Sequence, residues 1–168
     1  ACNDNYAVRT ARLLDAEFSI MSQCGWGICW GWDGNRNSCI PKHYNKVCSV
    51  MWGDYQNSLG VNEDFDFNGG SDFVVINLGT NDSSYCGSSS NKRLEFRQGY
   101  KDFIKLVREK NPEAHILCVL GLMGSDLFGE INAAVNEIKT ETNDKKVSAL
   151  RLNNQSESDG IAADWHPT

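Results

Sequence analysis

Two short polar motifs in this sequence contain residue types that can stabilise and move charge during acyl transfer. The first is Gly79-Thr80-Asn81-Asp82, which directly follows an apolar run, and the second is Asp164-Trp165-His166-Pro167. Glycine lets the main chain approach a reacting group, and the Asn81 amide can donate to a developing oxyanion. The first motif therefore predicts part of an oxyanion hole, although a simple turn after a strand explains it equally well.

The second motif places a carboxylate and an imidazole on either side of one residue. In an extended chain the side chains of Asp164 and His166 point to the same side. A carboxylate beside an imidazole fixes its tautomer and favours the imidazolium that forms when the ring accepts a proton. The motif predicts His166 as a general base oriented by Asp164. A solvated histidine is the alternative, and the presence of both motifs in one α/β pattern favours the catalytic interpretation.

The elements that must position these motifs alternate between apolar runs and amphipathic segments. Predicted strands lie near residues 18–22 and at residues 73–78, 115–120 and 147–152. Predicted helices lie at residues 6–15, 96–107 and 127–138, and Asp4 or Asn5 can cap the first. This alternation predicts a single α/β domain over residues 1–168 with a parallel sheet. The first motif then follows the carboxyl end of a strand, where open α/β sheets bind ligands.

Composition excludes several classes of partner. The chain has 168 residues, 16 basic and 22 acidic, for a net charge of −6 and no basic run. This charge argues against nucleic acid and anionic membrane surfaces as partners. The longest apolar stretch, near residues 116–122, is far shorter than the ~20 residues of a membrane helix, so we expect no membrane insertion. Residues 1–6 are polar and resemble mature protein, not a signal peptide.

The cysteines predict an oxidising compartment. Four of the seven lie in a stretch without helical or strand period: Cys24, Cys29, Cys39 and Cys48. With Cys2 and Cys86 they could form three disulfides of undetermined pairing, whereas Cys118 lies in an apolar run and is expected to pack as a small hydrophobe. A sequon, Asn154-Gln155-Ser156, is compatible with secretion. We expect no metal, because Cys24, Cys29 and His43 fit no common zinc spacing, and no cofactor, because no glycine-rich phosphate loop occurs.

Taken together, the motifs resemble the SGNH/GDSL hydrolases, and within them the family-2 carbohydrate esterases, over nearly the whole chain. Leu78-Gly79-Thr80-Asn81-Asp82 is similar to the third family block, in which Gly79 and Asn81 would help to form the oxyanion hole. Asp164-Trp165-His166-Pro167 is similar to the fifth block, which supplies the acid and the base of a catalytic triad. The resemblance implies a flavodoxin-like three-layer α/β sandwich with a parallel sheet.

A weaker match covers the second family block, whose glycine amide is the other oxyanion donor. It is Ser22-Gln23-Cys24-Gly25-Trp26-Gly27, and both glycines are candidates, with Gly25 preferred. We predict Trp26 and Trp165 as substrate contacts. Flat aromatic surfaces stack on sugar rings, but packing inside the loop is an equal alternative for each tryptophan of this region: Trp26, Trp30, Trp32 and Trp52.

The first family block, a Gly-Asp-Ser segment that carries the nucleophile after the first strand, has no match. Ser83, Ser84 and the serines at 88–90 are unsuitable substitutes, because they follow the third block or lie in a polar loop. The family strand order, 2-1-3-4-5, would place the absent strand between residues 18–22 and 73–78. The helix that follows the fifth block is also absent. We therefore expect an interior fragment of the domain, incomplete at both ends.

Two functions are expected from the resemblance. The first is a secreted ester hydrolase that deacetylates carbohydrate, with the serine supplied outside these 168 residues. The alternative is a catalytically inactive glycan-binding or assembly component that retains the fold. The expected partners are an acetylated carbohydrate or another small ester, together with the missing segment of the same polypeptide or a larger assembly.

Overall fold

The structure, a computed structural model, describes residues 5–48, 50–51, 53–162 and 166. Its helices are α1 (Tyr6–Leu13), α2 (Asp54–Ser58), α3 (Thr80–Cys86), α4 (Ser90–Lys110) and α5 (Phe128–Thr142). Its strands are β1 (Phe73–Asn77), β2 (His115–Leu122) and β3 (Val147–Asn154), and 3₁₀ turns occur at Ile40–Lys42 and Glu157–Asp159.

The described strands form one parallel sheet in the order β1-β2-β3. Ile76 of β1 is in register with Cys118 of β2, which in turn is in register with Ala149 of β3. The central strand β2 is nearly continuously buried, as expected for a parallel strand covered on both faces. The prediction of an α/β fold with a parallel sheet is thus confirmed, and three of the four predicted strands are present.

The prediction of a strand near residues 18–22 is wrong. Residues 18–22 are not a strand, and Phe18, Ile20 and Met21 are 52%, 45% and 43% exposed. A strand forms only when its main-chain donors and acceptors meet those of a neighbour. Within the described residues no strand lies on the side of β1 away from β2, so residues 18–22 have nothing to pair with.

Helix α4 contains the predicted helical segment at residues 96–107 and extends beyond it at both ends, from Ser90 to Lys110. The Ser89 side chain accepts a hydrogen bond from the Lys92 N–H, and Asn111 follows the last helical residue. Its buried residues recur every three or four positions and pack against the sheet and α5: Phe96, Tyr100, Phe103, Ile104 and Val107. The predicted amphipathic helix is confirmed.

Charged side chains of α4 form ion pairs with carboxylates of α5 and of the segment that follows it. The Lys101 ammonium lies 2.8 Å from a Glu137 oxygen and 2.6 Å from a Glu141 oxygen. Arg108 binds Asp144 at 2.8 Å. The Lys101 side chain is only 9% exposed, so this pairing is better shielded from water than an ordinary surface salt bridge.

The packing of α1 differs from its sequence prediction. Asn5 caps it as expected, because the Asn5 side chain accepts from the Val8 N–H at 3.0 Å. The helix ends at Leu13, however, and its buried residue is Val8. The predicted apolar face is wrong, because none of its residues is buried: Tyr6, Ala7, Thr10, Ala11, Leu13 and Leu14. Leu13 and the following Leu14 are 87% and 71% exposed. The helix touches the sheet through the Tyr6 hydroxyl, which accepts from the Asn77 amide at 2.8 Å.

The predicted disulfides are not present among the described cysteines. Six thiols are free, and Cys2 lies outside the described residues. Two sulfur atoms contact main-chain oxygens: Cys29 Sγ lies 3.7 Å from the Glu95 carbonyl, and Cys39 Sγ lies 3.3 Å from the Arg36 carbonyl. These two sulfurs are thus held by the backbone and not by another sulfur. Cys118 is completely buried, which confirms its predicted role in the core.

None of the helices in the described part of the chain combines the length and the apolar character that crossing a bilayer requires.

Candidate functional site

A sharp turn after β1 positions the first polar motif. Gly79 has a φ of 132°, a conformation that residues with a side chain rarely adopt. A Cβ at this position would lie 3.2 Å from the Phe96 ring and 3.4 Å from Leu120. The glycine therefore lets the chain turn closely over the core. As a result, Asn81 and Asp82 lie in the first turn of α3, at the carboxyl end of β1.

Asn81 connects this turn to the loop of residues 22–32, which is rich in glycine and tryptophan. Its amide nitrogen donates to the main-chain oxygen of Trp26 at 2.8 Å. A side-chain amide carries two N–H groups, so one donor remains for another acceptor. The second- and third-block segments are therefore adjacent in space, although they are separated by about fifty residues in the sequence.

The two glycines of the loop have different surroundings. The Gly27 N–H donates to the Ser38 carbonyl at 3.3 Å, and a Cβ on Gly27 would overlap both the Asp82 carboxylate and the Trp30 carbonyl. Gly25 has a φ of 77°, and its carbonyl accepts from the Trp32 N–H at 3.0 Å. Within the described part of the chain, the Gly25 N–H meets no acceptor. Gly27 is thus enclosed by packing, whereas the Gly25 amide donates to none of the residues that the structure describes.

Asp82 is a buried carboxylate beneath the same loop. One oxygen accepts from the Ile28 N–H at 2.9 Å; the other accepts from the N–H groups of Cys29 and Trp30, at 2.8 and 3.1 Å. Burial raises the pKa of Asp82, and the three backbone hydrogen bonds oppose that rise because they favour the ionised form. Asp82 was not predicted as a site residue, since nothing local in the sequence relates it to residues 28–30.

Two of the candidate tryptophans border the glycines, and a third belongs to the core. The Trp26 ring packs against His43 with ring centroids 4.5 Å apart. Trp32 is 66% exposed and lies close to Gly25. Trp30 is 1% exposed, so packing is the correct interpretation for this residue. Trp52 and Trp165 lie outside the described residues.

The predicted acid–base pair is described only in part. His166 is exposed, and its main-chain oxygen accepts from the Ala162 N–H at 2.8 Å. Asp164 lies outside the described residues, so the orientation of His166 by Asp164 stays a prediction. Over the residues that the structure describes, no group of three or more His, Cys, Asp and Glu side chains is arranged to hold a metal ion.

Known proteins resemble this chain in both sequence and structure, although no protein-family model matches it. The chain is 33% identical over 168 residues to the cellulase/esterase CelE of Acetivibrio thermocellus, across 98% of this chain and 19% of CelE. It superposes with a TM-score of 0.91 and 31% identity on an acetyl xylan esterase, Est2A, from the rumen bacterium Butyrivibrio proteoclasticus. That match covers 97% of this chain and 49% of the Est2A chain.

A third relative is a family two carbohydrate esterase from Clostridium thermocellum, solved in complex with cellohexaose. Its structure matches with a TM-score of 0.78 and 32% identity, over 96% of this chain and 47% of the esterase chain. The chain thus spans half or less of the length of these relatives. By sequence and by fold, it is similar to the family-2 carbohydrate esterases, which have the SGNH hydrolase fold.

Proposed function

We propose that the polypeptide carrying this chain removes acetyl groups from carbohydrate by a Ser-His-Asp mechanism, with the serine supplied from outside these 168 residues. The observation that carries the proposal is the contact between Asn81 and the Trp26 carbonyl, which brings together the two halves of the predicted oxyanion hole. Similarity to carbohydrate esterases supports the type of reaction.

The proposed reaction assigns a role to each predicted residue. The serine Oγ attacks the acetyl carbonyl carbon while His166 accepts the hydroxyl proton, and Asp164 orients the imidazole. The carbonyl oxygen becomes an oxyanion that accepts hydrogen bonds from the Asn81 amide and a loop amide. The bond to the sugar oxygen then breaks, and His166 returns the proton to that oxygen. Water then attacks the acetyl carbon while His166 takes its proton. The bond between that carbon and the serine Oγ breaks, and His166 returns the proton to the serine Oγ as acetic acid leaves.

The loop amide of this proposal is that of Gly25. The Gly27 N–H already donates to Ser38, and its Cα is enclosed by Asp82 and Trp30. The Gly25 N–H, in contrast, has no acceptor in the described part of the chain. A donor that is not engaged by the protein can receive a developing oxyanion without first losing a hydrogen bond. Gly79 serves the same site by permitting the turn that carries Asn81.

The open edge of β1 supports the delivery of the serine by another segment. Phe73 and Val75 are 71% and 55% exposed, although apolar residues of parallel strands are usually buried on both faces. The side chains of Phe18 and Ile20 are about half exposed as well. A strand added parallel to β1 would complete the pairing of this edge. Its carboxyl end would lie at the same side of the sheet as Asn81, which is where a nucleophile is needed.

The substrate contacts of the proposal are aromatic. Trp26 lies beside Asn81, and Trp165 is adjacent to His166 in the sequence, so both would border a bound ester. The neighbouring Trp32 offers an exposed ring that can stack on a sugar. A substrate of this kind, acetylated polysaccharide, is found outside cells, which agrees with the proposed secretion.

An acetate-release assay on the full polypeptide tests the proposal. We expect hydrolysis of an aryl acetate and of acetylated xylan, and loss of at least about 10³-fold in kcat for His166→Ala, since the general base is then removed. His115→Ala is the matched control, because His115 lies at the amino end of β2 and stacks on Phe73. Equal activity of the His166→Ala and unaltered proteins would contradict the assignment. Glycan binding without acetate release would favour the inactive binding function.

A further inference from the structure

We propose that Asp82 is a positioning residue, whose carboxylate holds the loop carrying the oxyanion donor against Asn81. This inference rests on the proposed esterase function. Asp82 does not reach the substrate, because it is completely buried beneath the loop. It acts instead on the main chain of residues 28–30, which continues directly from Gly25 and Gly27.

The contacts of Asp82 define the path of the loop. Both carboxylate oxygens are used, one by the Ile28 N–H and the other by the N–H groups of Cys29 and Trp30. Three consecutive amides that converge on one carboxylate require a tight main-chain curve. This curve directs the preceding residues, Gly25 to Gly27, back toward the start of α3. The position of the Gly25 amide is therefore set by a side chain that is distant in the sequence.

Adjacent residues of α3 hold the two ends of this curve. Asn81 donates to the carbonyl of Trp26, and Asp82 accepts from the amides of residues 28–30. Gly27 lies between these contacts, and a Cβ there would overlap Asp82 Oδ2. The loop is thus held on both sides of Gly27, at the Trp26 carbonyl by Asn81 and at the amides of residues 28–30 by Asp82.

The charge of Asp82 is balanced by backbone dipoles. Among the described residues no salt bridge includes Asp82, although a buried carboxylate without compensation is costly. Three N–H groups supply the compensation, and charge-assisted bonds of this kind are stronger than those between neutral groups. An asparagine is nearly isosteric, but its NH₂ group would face one of the backbone N–H groups. Asp82→Asn therefore breaks at least one of the three amide contacts and removes the negative charge, while conserving volume.

The test compares Asp82→Asn with Asn111→Ala in the full polypeptide. Asn111 is also a buried polar residue with several hydrogen bonds, but it lies between α4 and β2, at the other end of the sheet. We expect Asp82→Asn to lower kcat for an aryl acetate roughly 10- to 100-fold, with KM within about twofold, because the oxyanion donors are displaced. Asn111→Ala should lose stability and retain kcat.

A spectroscopic readout separates this proposal from the proposed function. The Asn81 side-chain NH₂ signals should shift strongly in Asp82→Asn and remain in place in Asn111→Ala, whether or not the polypeptide hydrolyses esters. Unchanged Asn81 signals, or unchanged kcat in an active enzyme, would overturn the positioning role. Absence of esterase activity in the unaltered protein would contradict the proposed function alone.

A titration of the unaltered polypeptide covers the case in which Asp82→Asn does not fold. The amide proton signals of Ile28, Cys29 and Trp30 should shift in one shared step as acid protonates Asp82. The neighbouring thiols of Cys29 and Cys86, whose pKa values are raised to about 12 and about 11 mainly by burial, do not titrate in this range. Independent shifts of the three amides would overturn the proposal.

Discussion

The side-chain amide of Asn81 donates a hydrogen bond to the main-chain carbonyl of Trp26 at 2.8 Å. This bond joins the turn after β1 to a loop that precedes it by about fifty residues. It also orients the amide so that one N–H is used within the protein and the other is available to a ligand. The relationship is the geometric basis of the proposed oxyanion hole.

Replacing Asn81 should reduce catalysis more than binding. We expect Asn81→Ala to lower kcat for acetate esters by a factor of roughly 100 to 1,000, since a donor to the transition state is lost. Steady-state kinetics of the full polypeptide measure the change. Asn91→Ala, at an exposed position in the first turn of α4, is the control and should retain full activity. A similar loss in both variants would contradict the role of Asn81.

The two glycines at 79 and 129 should respond to alanine in opposite directions. Gly79→Ala forces a side chain into a φ of 132° and against Phe96, so we expect a loss of about 1–3 kcal/mol in unfolding free energy. Gly129 lies in α5, and a Cβ added there would meet no other atom within 4 Å. Because alanine favours a helix more than glycine does, Gly129→Ala should stabilise the protein by up to about 1 kcal/mol. Urea unfolding measures both values. An unchanged unfolding free energy in Gly79→Ala would argue against a strained turn at Gly79.

Stability should decrease in acid because of the ion pairs between α4 and α5. Hydrogen bonds from Lys101 lower the pKa values of Glu137 and Glu141. Carboxylates with a lowered folded-state pKa stabilise the protein above the ordinary glutamate pKa of about 4.3, and this contribution is lost as the pH falls through the lowered values. Lys101→Met should therefore reduce the difference in unfolding free energy between neutral and acidic solution.

Lys139→Met is the matched control for this pH dependence. Lys139 is exposed on α5 and, among the described residues, takes part in no salt bridge. Its replacement should leave unchanged the difference in unfolding free energy between neutral and acidic solution. If Lys101→Met has as little effect as Lys139→Met, the ion pairs do not contribute to stability.

Thiol reactivity should separate the exposed cysteine from the buried ones. Cys24 is exposed, whereas burial raises the pKa of Cys118 to about 12. Because the thiolate is the reactive form, iodoacetamide should label Cys24 in the native protein and Cys118 only after denaturation. Peptide mass spectrometry without reducing agent measures both. Disulfide-linked peptides among Cys24, Cys29 and Cys39 would contradict the free thiols of the structure.

Local patterns in the sequence were enough to predict the frame of the fold. The apolar run before Gly79 and the spacing of Phe96, Tyr100 and Val107 predict β1 and α4, because burial imposes a period on neighbouring residues. The polar turn at Asn81 could be placed at the end of a strand for the same reason. Capping by Asn5 was also predictable, since a cap acts within one helical turn.

Contacts between distant segments could be identified only in three dimensions. Residues 18–22 have an apolar composition that suits a strand, yet they form none, because a strand depends on a neighbour that the local sequence does not specify. The Gly27 N–H donates to Ser38, and the Gly27 Cα lies against Asp82. The Gly25 N–H meets no acceptor in the described part of the chain. Asp82 itself binds amides of residues 28–30, more than fifty residues away. Side-chain periodicity reports which residues are buried, but hydrogen bonds between remote segments depend on how the elements pack against each other.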